Sequence, residues 1–321
     1  MKKITKGLII STVLTVVFAV TSANAAQYVI PSGETVGVKI YTDGLLVVGI
    51  SSDCPQNGIK TGDRIKKANN TKLVSTEQLV SIVNKHHDSL TLNIVRNGEE
   101  KEISARAVQN EDGTYKLGVW VRDSTAGIGT VTYYDAENNS FAALGHGITD
   151  IDTGNILTVK SGNILPCQIL SVTKSENGNP GELNGTFGGE PTGDIIENAD
   201  NGIYGKCQNI PAGDKIEVAS PDEITEGDAA ILAEIDGKGI KEYSISITKV
   251  SKNERNRKNL VLTVTDENLL NLTGGIVQGM SGAPIIQNGK LIGAVTHVFI
   301  NDSAKGYGTF AKTMTERSDK L

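Results

Sequence analysis

The sequence predicts a mainly β protein built from two domains, and three observations carry that prediction. Glycine is abundant, with 36 residues against five phenylalanines and one tryptophan, so turns are many and aromatic cores light. Short apolar or alternating runs recur along the chain with glycine-bearing turns between them, and neither a heptad array nor a helix-bundle pattern is present. The length of 321 residues suits two domains of about 150 residues each. Hydrophobic residues at 38% and charged residues at 21% are enough for packed cores under a wettable surface, which excludes wholesale disorder. A net charge of -6 excludes a nucleic-acid partner, because nothing resembles the basic footprint that phosphate neutralisation requires.

The first 25 residues read as an address. Lys2, Lys3 and Lys6 precede an apolar stretch from Gly7 to Val20, and Ala23-x-Ala25 supplies a small-residue cleavage pattern. Residues 1–25 are therefore a secretory signal peptide or an uncleaved N-terminal anchor. Both readings place the remainder outside the cytoplasm, since no second apolar run of spanning length follows. Cys54, Cys167 and Cys207 form an odd set at no metal-ligand spacing, so no metal or other cofactor is expected. A disulfide between Cys167 and Cys207 is left open.

Residues 36–108 form the first domain. Gly44 to Ile50 is an apolar run flanked by glycines, a candidate buried strand. Pro55 and Gly58 to Ile65 supply turn chemistry and lead into a second strand. Ser75-Thr76-Glu77-Gln78 has capping-box spacing, with Leu79, Ile82 and Val83 following at helical intervals. Leu90, Leu92 and Ile94 alternate with polar residues, and Asn97-Gly98 turns a hairpin towards Ile103. Taken together, these pieces resemble the PDZ domains of bacterial proteases. The resemblance implies that a peptide ligand adds as a strand beside the helix, with Asp43, Gly44 and Leu45 expected at its terminal carboxylate.

Residues 116–321 form the second domain. Val119 to Val121, Thr130 to Tyr134, Ile164 to Val172, Ala230 to Ile235, Tyr243 to Val250 and Leu260 to Thr265 read as short strands of a sandwich or barrel. The sharpest motif is Gly279-Met280-Ser281-Gly282-Ala283-Pro284, followed by a strand, the turn pair Asn288-Gly289 and another strand. A serine between glycines fits a tight loop whose backbone N–H groups, here those of Gly279 and Ser281, converge as an oxyanion hole. A nucleophilic serine needs a base, and histidine is the usual one. His146 lies between Gly145 and Gly147, whereas His297 leaves too short a return path from Ser281 within its own hairpin. His146 is therefore the expected base. Asp150 and Asp152 are near it in sequence, but such short loops aim carboxylates at turn amides. Asp266 ends a strand and also stands where it would cap a short helix.

The stretches Trp120-Val121-Arg122-Asp123, Ala143 to Asp150, Asp152-Thr153-Gly154, Pro180-Gly181-Glu182, Thr273 to Gly282 and Val295 to Val298 resemble the stage IV sporulation protein B peptidase family of endospore-forming bacteria. With Gly33 to Val38 and the PDZ-like segment, the resemblance covers nearly all of the chain beyond residue 25. It implies a serine endopeptidase with a chymotrypsin-like double β-barrel following the PDZ-like domain. It also implies His146 as base, Ser281 as nucleophile and Asp266 as the orienting acid, with Thr296 and His297 on the substrate side. The family's substrate is the extracytoplasmic part of a membrane protein that restrains an intramembrane protease, cut in the space between mother cell and forespore. Self-cleavage near the N-terminus is a further family habit. Two rival readings are a PDZ-bearing quality-control protease, whose usual domain order is reversed, and a non-enzymatic PDZ adaptor on an inactive protease-like fold. The presence of both His146 and Ser281 weighs against the adaptor.

Overall fold

The computed structural model describes residues 26–53, 55, 58–176, 178–252 and 257–321, so the export signal read in residues 1–25 and Cys54 lie outside the described residues. The chain enters along β1 (Tyr28–Pro31) and the 16-residue β2 (Thr35–Ile50). It then runs through β3 (Arg64–Ala68), β4 (Thr71–Lys72), α1 (Thr76–Lys85), β5 (Leu90–Arg96), β6 (Glu99–Ala105), β7 (Val108–Gln109) and β8 (Tyr115–Lys116). It returns along the 17-residue β9 (Val119–Asp135), and β10 (Ser140–Ala143), β11 (Val159–Thr173), β12 (Glu182–Phe187), β13 (Gly193–Ala199), β14 (Gly202–Cys207) and β15 (Ile216–Glu217) follow. The last third contains β16 (Gly227–Ala233), β17 (Lys241–Val250), β18 (Leu260–Val264), α2 (Glu267–Thr273), β19 (Pro284–Gln287), β20 (Lys290–Phe299), β21 (Asp302–Phe310) and α3 (Ala311–Ser318).

β2 and β9 form one long antiparallel pair that serves two bodies. From Thr35↔Thr130 to Tyr41↔Ser124 they belong to a ring that continues through β10, β14, β13 and β11 back to β2, which rolls six strands into a first barrel. From Leu46↔Arg122 to Ile50↔Val119 the same two strands extend outward and join β3, β5 and β6 in the PDZ-like sheet. The register shifts between the two halves, where Gly44 makes a turn at φ +98°. The boundary read at residue 36 therefore falls inside a barrel strand: Val36, Val38 and Ile40 are buried in the first barrel, and the PDZ-like body is inserted in the β2–β9 hairpin. Val119–Val121 and Thr130–Tyr134, read as separate strands, are two ends of β9, because Gly127 and Gly129 continue the extended backbone without breaking it.

Local chemistry explains the smaller elements. Ser75 caps α1 by accepting from the Gln78 N–H at 3.3 Å, while the Gln78 side chain reaches back to the Val74 N–H at 2.9 Å. Asn97 and Gly98, at φ 53° and 83°, form the left-handed turn that joins β5 to β6. β16, β17, β18, β21, β20 and β19 close the second barrel around Ile231, Ile245, Leu262 and Ile285. Cys167 and Cys207 are free thiols. Cys207 pairs with Gly193, which pairs with Ile164, so Cys167 is two strands across and three residues along from it, beyond the reach of a disulfide of about 7 Å between Cα atoms. Among the described residues no helix is long and apolar enough to cross a membrane.

Candidate active site between the barrels

The Gly279–Gly282 loop links α2 to β19 in the second barrel but is held by β9 of the first. The Thr130 N–H donates to the Ser281 carbonyl at 2.9 Å, the Thr130 hydroxyl to the Gly279 carbonyl at 2.7 Å, and the Thr132 hydroxyl to the Gly282 carbonyl at 2.8 Å. Gly282 has φ +99°, and a Cβ there would lie 2.0 Å from the Thr130 carbonyl oxygen and 2.5 Å from the Leu144 nitrogen. Buried Met280 anchors the loop from below.

Around Ser281 the backbone donors divide into two sets. The N–H groups of Met280, Gly282 and Ala283 bond to the carbonyls of Val277, Val295 and Met280. Among the described residues, those of Gly279 and Ser281 find no protein acceptor, which leaves the two expected oxyanion donors available. The Ser281 hydroxyl donates to the Thr296 carbonyl at 2.8 Å.

His146 comes from the first barrel. β10 ends at Ala143, and the chain turns through Leu144 and Gly145 at φ 69° and 67°. Positive φ at a leucine is a sparsely populated conformation, and here it stands directly before the site. His146 Nδ1–H donates to the Gly147 carbonyl at 3.0 Å, which leaves Nε2 unprotonated and able to accept. The following loop is clamped by Asn198, which bonds both the N–H and the carbonyl of Ile148 at 2.8 Å and the carbonyl of Leu157 at 2.9 Å.

His146, Ser281, Gly279 and His297 share one cleft of about 400 Å³, walled on one side by Thr125–Ile128 of β9. The rings of His146 and His297 lie 4.9 Å apart. Burial holds the His146 imidazole below its ordinary value. His297 is lowered too, first by burial and then by His146 and Lys258, although the residue is exposed at the mouth of the cleft, which weakens the effect. Both shifts favour the neutral imidazole, the form that can accept a proton. A hydroxyl and a neutral imidazole lining one cleft, with two free N–H groups on the hydroxyl's loop, are the groups that acyl transfer needs.

The other expected site residues are placed differently. Asp266 is the N-cap of α2: its carboxylate accepts from the Leu269 N–H at 2.9 Å, and it borders a separate surface depression with Lys241, Tyr243 and Asn271. The structure does not bring it to His146, which among the described residues has no carboxylate within 4.0 Å; the Gly147 carbonyl holds the ring instead. Asp150 and Asp152 face Arg122, and Asp150 also accepts from the N–H groups of Asp152 and Thr153, as turn carboxylates do. Asparagine caps a helix as well as aspartate does. Asp266→Asn is therefore expected to leave the reactivity of Ser281 and the melting temperature unchanged. A loss near 10⁴-fold, the scale of amidating a triad aspartate, would return Asp266 to the orienting role.

Thr296 is buried and contributes its carbonyl to Ser281, while its hydroxyl donates to the Tyr307 carbonyl at 3.1 Å. Asp43 pairs with Lys66, Gly44 makes the turn described above, and Leu45 is fully buried between β3 and β9, so these three do not border a peptide groove. The groove of the PDZ-like body lies between α1 and the start of β9, lined by Leu79, Val80, Val83, Leu117, Val119 and Trp120. There β9 pairs with β2 along one edge, and among the described residues no strand pairs with its other edge. Sequence reading missed Thr130, Thr132 and Asn198. The alternation Thr130-x-Thr132 was the available signal for two hydroxyls on one face of a strand.

A family model described as SpoIVB peptidase S55 matches residues 113–315. No curated protein matches the chain. Similar solved structures include the PDZ domain of the SdrC-like protein from Listeria monocytogenes, at 17% identity over 25% of this chain and 87% of that one, with a TM-score of 0.23. The active form of the protease Rv3671c from M. tuberculosis is similar at 14% identity over 61% of this chain and 74% of that one, with a TM-score of 0.39. The HtrA-type protease AlgW with a decapeptide is similar at 10% identity over 90% and 64%, also with a TM-score of 0.39.

Proposed function

As a member of the SpoIVB peptidase S55 family the chain is a serine peptidase, and we propose that it is an endopeptidase of sporulation signalling with Ser281 as nucleophile and His146 as general base. The observation that carries the residue assignment is the meeting, in one cleft, of a serine from one barrel and a histidine from the other beside two unpaired N–H groups. The Ser281 hydroxyl, which donates to the Thr296 carbonyl in the resting site, turns to His146 Nε2, and its Oγ attacks the scissile carbonyl carbon as the proton passes to that nitrogen. The Gly279 and Ser281 N–H groups receive the oxyanion. The proton then moves to the leaving amine, and water hydrolyses the acyl-enzyme with His146 again as base. The Gly147 carbonyl fixes the tautomer in the place where other triads use a carboxylate.

The substrate is the extracytoplasmic part of a membrane protein, and a second substrate is the protein's own N-terminal segment. The family resemblance supports this reading, as do the charged N-terminus and the apolar run after it. The open edge of β9 beside α1 is the candidate seat for a peptide ligand, because a strand with an unpaired edge beside an apolar helix face is what strand addition requires.

Reaction of the purified protein with a serine-directed phosphonate, followed by mapping of the modified residue, tests the assignment. Labelling is expected at Ser281. The rate should fall with decreasing pH along a limb whose midpoint lies below 6.5, because burial lowers the His146 value and only the neutral ring accepts the proton. Absence of label would favour the adaptor reading, and a midpoint above 7 would remove His146 as the base.

A further inference from the structure

One strand touches every part of the machinery. The start of β9, Val119–Val121, is a wall of the α1 groove, and Thr125–Ile128 wall the catalytic cleft. Thr130 and Thr132 hold the serine loop. Between the groove and the cleft lie two consecutive charged residues, whose side chains leave a strand on opposite faces. Asp123 turns to α1, accepting from the Thr76 N–H at 3.0 Å and the Thr76 hydroxyl at 3.2 Å. Burial alone would raise its carboxyl, but these bonds, with one from the Ser124 hydroxyl at 3.1 Å, hold it below its ordinary value. Arg122 turns to the loop after His146: one guanidinium nitrogen pairs with Asp150, and the other donates to Asp152 at 2.9 Å.

The Asp150 pair stands out by its burial. The Asp150 side chain is fully buried and Arg122 is its cation, while Asp152 is half open to solvent. Asp150 also organises its own turn, through the N–H groups of Asp152 and Thr153 on its carboxylate and that of Gly154 on its carbonyl at 2.8 Å. A buried carboxylate that loses its cation is strongly destabilised. The geometry of the turn therefore depends on Arg122 being engaged, as it is here.

We propose that Arg122 is a positioning residue that couples the groove wall to the catalytic histidine: its engagement with Asp150 sets the loop that follows His146, and movement of β9 against α1 changes that engagement. This rests on the reading of Ser281 and His146 as the reacting pair. No residue of the coupling touches the substrate, so the effect is on the placement of His146.

Trp120 is the only tryptophan of the chain and lies on the groove wall, so its emission reports the groove. Coupling free energies are reciprocal, so changing the active site must change the groove. In the full-length protein, phosphonate modification of Ser281 is expected to alter acrylamide quenching of Trp120. Arg122→Gln should abolish that response and slow labelling on the order of tenfold, within the range common for coupled sites. Arg122→Lys, which still offers Asp150 a cation, should restore most of the rate. Because Arg122→Gln leaves a buried charge alone, the double variant Arg122→Gln/Asp150→Asn is the decisive one. Its asparagine side chain still offers a carbonyl oxygen to the turn N–H groups, so the melting temperature should hold while the Trp120 response is lost. A double variant that labels at the wild-type rate with its Trp120 response intact would overturn the proposal. So would a wild-type protein that labels at Ser281 with no change at Trp120. Failure of wild-type labelling at Ser281 would instead strike the peptidase assignment itself.

Discussion

Ser281→Ala is expected to abolish phosphonate labelling and to lower peptide cleavage by about 10⁶-fold, the scale found when a triad serine is removed. What survives is the contribution of the two N–H donors and of binding, about 10³–10⁴ over water. The fold should change little. The hydroxyl makes one bond, to the Thr296 carbonyl, and a single neutral hydrogen bond is worth about 0.5–1.5 kcal/mol. Cleavage by the purified variant is measured against a fluorogenic peptide, with its melting curve beside the wild type. Retained cleavage, free of contaminating protease, would end the serine-peptidase mechanism drawn for this cleft.

Gly282→Ala is expected to be nearly as damaging, although glycine supplies no chemistry. The added methyl would lie 2.0 Å from the Thr130 carbonyl oxygen, backbone that cannot turn aside, and φ +99° is already unfavourable for alanine. The loop must retreat from β9, which breaks the Thr130 and Thr132 bonds that aim Ser281 and its N–H neighbours. A misplacement near 1 Å costs about 100-fold in rate. Backbone strain adds about 1–3 kcal/mol. Labelling should therefore fall about 100-fold or more, with a lowered melting temperature. Gly188→Ala, where nothing lies within 4 Å and φ is ordinary, is the matched control and should behave as wild type. Normal labelling of Gly282→Ala would mean that β9 does not hold the nucleophile loop.

Where local chemistry decides an element, the sequence was legible. Ser75 caps its helix, and Asn97-Gly98 and Asn288-Gly289 turn their hairpins, because each depends on residues a few positions apart. The close approach of the Ser281 and His146 loops was legible, because their glycine neighbours stand where a Cβ would collide. Long-range pairing was not. The apolar residues Val36, Val38 and Ile40 look the same whether they face a PDZ-like core or a barrel, and only β9 and β11 decide between them. The groove was misplaced for a similar reason: the Leu45–Val48 run is apolar because it is buried between two strands, which leaves it no free edge. The orienting group of His146 is a backbone carbonyl, which no side-chain pattern can announce. Asp266 shows the converse, a carboxylate expected beside the histidine that instead caps a helix.

The insertion of one body within a hairpin of another has a kinetic consequence for the nascent chain. The barrel half of β2 cannot acquire its β9 neighbour until the chain from Tyr41 to Ser124 has been made. At about 5–20 residues per second, that synthesis lasts on the order of 4–16 s. Closing so long a loop from a free coil costs about 4 kcal/mol of chain entropy. Folding of the inserted body removes most of that cost, since pairing Leu46 with Arg122 delivers the two barrel strands side by side, with the bulge at Gly44 setting the shift to the barrel register. The inserted body is thus expected to form first and to serve as the nucleus on which the first barrel zips shut. A cavity cut into its core at Leu92, far from the cleft, should slow the appearance of active enzyme even where the finished protein is fully active.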